Sequence, residues 1–199
     1  MTELTTTAHH EAGHAVASLL ARSVGLPSRD VGTVTVIRDG DALGMSTPEP
    51  FGYNFWPDPG DLEGKAVIES SIVSTLAGPL AEAHHDGRTM TLWTVRFFFG
   101  SPGHDGALVE ALARPLTTCK AELNAYLAYL WQRTRALSRV PNFWASVDAV
   151  ATALEAAGTL TGEQVRDLIQ PPDHGPIELR YMHRLMLYRF PPTPRTEAP

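Results

Sequence analysis

Hydrophobic positions along the chain follow two periods in turn. Val16, Leu19 and Leu20 recur at helical spacing in a segment running from about Thr7 to Ser23, which predicts an amphipathic helix stopped at Gly25-Leu26-Pro27. From Val31 to Ile37 the pattern becomes β-branched and alternating, the mark of a strand, and the turn at Asp39-Gly40 leads into Ala42 to Thr47. Together these predict a β-hairpin. Pro48 to Gly60 carries four prolines with Phe51, Tyr53, Phe55 and Trp56, and reads as an aromatic loop. A second helix is expected from Asp61 to about His85, with Val67, Ile68, Ile72, Leu76, Leu80 and Ala83 as its apolar stripe and Pro79 as a bend or break. A third starts near Asp105, is interrupted at Pro115 and continues to about Arg139, with Leu123, Tyr126, Leu127 and Leu130 at core spacing. Asn142 is suited to cap a helix that reaches Ala157 and stops at Gly158. Thr161 with Gln164 fits a capping box for a short helix ending near Ile169. About five helices and one hairpin make the fold class mainly α, in the α+β sense.

Composition narrows this to one domain. The chain has 199 residues, 43% hydrophobic and 19% charged, enough to bury a core without disulfides. Residues 1–170 form the expected domain; residues 171–199 read as a Pro-rich linker and a basic tail, with Arg180, Arg184, Arg189 and Arg195 against Glu178 and Glu197. The tail is a candidate contact for a protein partner or a second copy of the chain. A net charge of -6 argues against nucleic-acid binding. No apolar run reaches the ~20 residues needed to cross a bilayer, and the N-terminus lacks the pattern of a secretory signal. A single cysteine, Cys119, excludes a disulfide scaffold and is expected to be buried as a small apolar group. The expectation is a cytoplasmic protein without membrane or nucleic-acid partners.

One motif carries chemistry: His10-Glu11-Ala12-Gly13-His14. On a helix, positions i and i+4 lie about 40° from eclipsed and one turn apart, so the two imidazoles can share one metal ion. Glu11 can then reach a water on that ion and take its proton. This ligand mix most often selects zinc, Zn2+ at one per chain, although two histidines and a carboxylate also suit Fe2+ in a non-haem oxygenase. A catalytic zinc needs a third protein ligand besides His10 and His14. His9 points about 100° away from His10, which favours a surface role. His84 and His85 close a helix, where they suit its dipole.

His10 to Ala15 resembles the metal-binding helix of the FtsH-type ATP-dependent zinc metalloproteases, and similar stretches follow in the same order. Val34 to Ile37 and Ala42-Leu43-Gly44 are similar to that family's hairpin. Ala77-Gly78 with Ala81-Glu82 is similar to its Gly-Gly-Arg-x-Ala-Glu helix, and Gly100 to Asp105 occupies the place of its Gly-Ala-x-Asn-Asp segment. Leu160 to Val165 is like its closing helix. The resemblance covers about residues 7–170 and implies a zincin-like helical peptidase domain with the hairpin beside the metal helix. It implies Asp105 as the third ligand. Glu82 is the alternative, either as ligand or as a partner that holds a histidine. The chain departs from the pattern at Pro79, where the family has Arg, and at His104, where it has Asn; His104 could replace that Asn or compete as a ligand. It carries no Walker A stretch, ATPase module or membrane anchor.

These readings converge on an ATP-independent zinc metalloendopeptidase acting on flexible or unfolded peptide segments, with Glu11 as catalytic base. An extended peptide is expected to add to the hairpin edge at Leu43, Gly44 and Met45. The alternatives are the iron oxygenase and a zinc-binding interaction module without turnover.

Overall fold

The computed structural model describes residues 3–37, 44–48, 57–90 and 104–169. Helix α1 (Glu3–Leu20) begins a turn before the expected Thr7 and passes into a 3-10 turn, Ala21–Val24. Gly25, at φ 74°, closes that turn with its N–H on the carbonyls of Ala21 and Arg22. One face of α1 is nearly all small: Ala8, Ala12, Ala15 and Ala17 are fully buried with Val16. Such a face lets a neighbouring helix approach closely, and α2 (Leu62–His85) does so. At Gly13 a Cβ would lie 2.6 Å from both the Ala77 carbonyl oxygen and the Ala81 Cβ, so only glycine permits this contact.

Asp61 caps α2 by accepting the Gly64 N–H. The helix is continuous through Pro79, so there is no break there; Pro79 is buried within it. Three further helices, α3 (His104–Ala113), α4 (Lys120–Leu137) and α5 (Phe143–Ala157), complete the helical body. A 3-10 turn, Arg114–Leu116, joins α3 to α4 where Pro115 was expected to interrupt. Trp131, Phe143, Ile72, Leu76 and Leu130 are the largest side chains of the core.

Strands β1 (Val31–Thr35) and β2 (Met45–Pro48) pair antiparallel, with Val34 opposite Ser46 and Thr35 opposite Met45. The sequence pattern did not predict β3 (Thr159–Thr161), which pairs with the other side of β1 and gives the order β2-β1-β3. Val34 and Leu160 turn inward from this sheet onto the core. Thr161 and Gln164 then form the expected capping box at the start of α6 (Gly162–Leu168).

Two local expectations are corrected. Asn142 precedes α5 but makes no side-chain cap; it occupies the left-handed region at φ 65°, which Asn tolerates better than most residues. Cys119 is exposed at the start of α4 rather than buried, because Thr117 to Cys119 is an exposed connection ahead of the first packed residue, Leu123. No helix among the described residues is long and apolar enough to cross a membrane. The aromatic loop, most of the hairpin turn, and the linker and tail from 170 onward lie outside the described residues.

Candidate metal centre

The i, i+4 spacing on α1 brings His10 and His14 together, their ring centroids 4.7 Å apart and the rings nearly perpendicular. Helix α3 delivers Asp105 from the opposite side. Its Oδ2 lies 2.8 Å from His10 Nε2 and 3.3 Å from His14 Nε2. One ligand atom from each of the three residues falls within 4.8 Å of the others.

The outer nitrogen of each ring is already committed. His14 Nδ1–H donates to the Ser74 carbonyl at 2.9 Å, and His10 Nδ1–H donates to Glu82 Oε2 at 3.1 Å. Glu82 is in turn held by Arg88 through Oε1 at 2.7 Å. Its hydrogen bond with His10, aided by Arg88, keeps the Glu82 carboxyl below its ordinary pKa. These partners fix the tautomer: in neutral rings both Nε2 atoms are bare lone pairs, and both face a carboxylate oxygen. Three acceptors converging on one point can be satisfied by a cation, either a proton or a metal ion.

A proton can serve His10. Burial alone lowers its pKa, but the hydrogen bonds to Asp105 and Glu82 outweigh burial and raise it from 6.5 to about 10. For Asp105, burial pushes upward, yet the hydrogen bonds from His10 and His14 hold its carboxyl well below the ordinary range. The same three atoms could hold a divalent ion. Tetrahedral zinc ligands at 2.0–2.1 Å stand roughly 3.3 Å apart, close to the 2.8 and 3.3 Å found here. Because the ion must displace the proton on His10, zinc uptake at pH 7 is expected to release about one proton, and affinity to rise with pH up to about 10. Calorimetric titrations in buffers of differing ionisation enthalpy measure that proton; its absence would mean that His10 is already neutral without metal.

Two glycines let the surrounding backbone close on this group. At Gly78, a Cβ would come within 2.3 Å of His14 Cε1, so α2 can lie against the imidazole only without a side chain. At Gly44, a Cβ would meet Glu11 Cγ at 2.8 Å, which places the start of β2 on the Glu11 side chain. Glu11 is buried, and burial, only partly offset by His14 and His10, raises its pKa. A cavity of about 450 Å³ opens here, lined by Glu11, His14 and Asp105 together with Gly44, Met45 and Ser46 of the hairpin.

Of the residues singled out in the sequence, His10, His14, Asp105 and Glu82 are in direct contact, with Glu11 and Gly44 beside them. Met45 lines the cavity. Leu43 lies outside the described residues, as does the side chain of His104, whose backbone opens α3. His9 stacks on His85, centroids 3.8 Å apart, and bonds the Thr5 carbonyl, so it braces α1 against the end of α2 instead of standing at the surface. His84 stacks on Trp144 at 3.7 Å. Sequence reasoning missed Arg29, Ser18, Ser71, Ser74 and Thr75, which also line the cavity. Their trace in the sequence is the cluster of hydroxyl residues at 70, 71, 74 and 75 within an otherwise apolar helix.

No protein-family model matches the chain, and no curated protein matches it.

Proposed function

We propose that the chain is a zinc-dependent peptidase of zincin-like fold, ATP-independent, that hydrolyses peptide bonds in flexible segments. The observation that carries this reading is the convergence of His10, His14 and Asp105 beside a buried, non-ligating Glu11 that lines a cleft. His10, His14 and Asp105 would hold the ion; Glu82 and the Ser74 carbonyl orient the two rings. A zinc ion held there supplies a water acidified from ~15.7 towards ~7 and polarises a substrate carbonyl. Glu11 takes the proton of the attacking water and returns it to the departing amine. Its raised pKa suits that exchange, since a base is most effective with a pKa near the working pH. The edge of β2 is the side along which an extended peptide adds, through Gly44, Met45 and Ser46.

Two histidines and a carboxylate also suit ferrous iron in an oxygenase. Elemental analysis of protein purified anaerobically separates the readings. The expected result is one zinc per chain, cleavage of a peptide library, loss of cleavage on chelation and recovery with zinc. Bound iron, or stoichiometric zinc with no cleavage of any peptide, would overturn the peptidase assignment.

A further inference from the structure

The cleft is lined by two chemically different groups of residues. Beside Glu11, His14 and Asp105 its mouth is flanked by Met45 and Leu108, each about half exposed. The rest of its polar lining is Ser18, Ser71, Ser74 and Thr75, and Arg29 is the one Lys or Arg among the described residues that line the cavity. Two contacts fix Arg29 in place: its backbone N–H donates to the Ser18 carbonyl at 3.1 Å, and its Nη1 donates to Ser71 Oγ at 2.8 Å. Ser74 adds a second, independent feature. Its Oγ is buried with no hydrogen-bond partner among the described residues, while its carbonyl holds His14. The rise of 1.5 Å per helical residue puts Ser71 about 4.5 Å along α2 from Ser74 and about 10 Å from Gly78, which abuts His14. Ser71, which holds the guanidinium, therefore stands roughly 5–10 Å along α2 from the two residues that touch His14, an offset spanned by an acidic side chain or by two or three extended residues at about 3.3 Å each.

We propose that this polar part of the lining is a carboxylate subsite, in which Arg29, positioned by Ser71, takes a substrate carboxylate that lies a residue or two from the bond cleaved. The inference rests on the peptidase reading above and names its substrate class: acidic or carboxy-terminal peptide segments. A guanidinium fork matches a carboxylate with two parallel N–H donors, which a serine-lined cleft alone cannot provide. Arg29 has a further interaction of its own, and its five donors allow an incoming carboxylate to share or exchange it. A half-buried cation gains more from such a partner than an exposed one, because less water screens the pair.

The test titrates zinc-loaded protein with the monohydroxamates of succinate through suberate. Each is compared with the hydroxamate of the same length ending in a carboxamide, and binding is followed by calorimetry. At one chain length the carboxylate should bind about tenfold tighter or better. That preference should vanish in Arg29→Gln and weaken in Ser71→Ala. Equal binding of both series by wild-type protein overturns the subsite while leaving the metal centre intact. Failure to bind zinc or any hydroxamate overturns both. The wild-type comparison stands even if Arg29→Gln does not fold. Two peptide pairs, titrated into Glu11→Gln protein to avoid turnover, identify the source of the carboxylate. One pair differs by internal Glu against Gln with an amidated terminus; the other differs by acid against amide at the C-terminus. Preference in the first assigns a side chain and in the second a chain end; preference in neither overturns the subsite as a feature of peptide recognition.

Discussion

Replacing Glu11 by Gln is expected, on the proposed peptidase function, to leave zinc content at one per chain and to lower peptide hydrolysis at least ~100-fold, the usual worth of a positioned general base. The two effects separate because of where Glu11 sits. It neighbours the three converging ligands without being one of them, so the ion keeps all of its protein donors. Its side chain is buried under the start of β2, where Gln has the same shape and fits the same space. Burial raises the Glu11 pKa, which means that the charged form is held at a cost; neutral Gln removes that cost, and the variant should fold at least as stably as the parent. Metal analysis and initial rates on the same preparation are the measurement. Hydrolysis at the wild-type rate would remove Glu11 from the mechanism, and lost zinc would make it a ligand.

Gly78→Ala is the second large effect, and its sign runs against helix propensity. Alanine in a helix interior is favoured over glycine by up to ~1 kcal/mol. Here the new methyl would sit 2.3 Å from His14 Cε1 and 2.4 Å from Nε2, well inside contact distance. Either α2 withdraws or the imidazole rotates, and rotation breaks the hydrogen bond from Nδ1 to the Ser74 carbonyl that fixes the ring. Loss of such a support typically lowers metal affinity 10–100-fold. Competition against a fluorescent zinc chelator measures it, with thermal denaturation of the metal-free protein as control for general packing. Unchanged affinity would show that the orientation of His14 does not depend on the close approach of α2.

The helices and the approach of His10 to His14 were legible in the sequence because both depend on local periodicity. Spacing of four on a helix is enough to bring His10 and His14 together, and the capping box at Thr161 acts through Gln164 three residues away. What escaped depends on distant parts of the chain. Strand β3 is three residues long, too short to show alternation, and exists because β1 offers it a free edge. Pro79 reads as a bend or break from its own chemistry, yet α2 is continuous through it. Arg29 follows a proline-containing turn and looks like any surface arginine; only the fold carries it to Ser71, 42 positions on. Glu82 was readable as a candidate, but its contact with His10 spans 72 positions and needs α1 and α2 already packed.

The contact between His10 and Asp105 also bears on how the chain is held together. It joins residues 95 positions apart, in a protein whose one cysteine is exposed and offers no internal disulfide. Closing a loop of that length with a permanent tie restricts the unfolded chain by on the order of 4–5 kcal/mol in the chain-entropy view. An ion shared by α1 and α3 would act as a reversible staple of this kind. Val109 and Ala113 already seat α3 in the core, so such a staple would add rigidity to one wall of the cleft rather than create it.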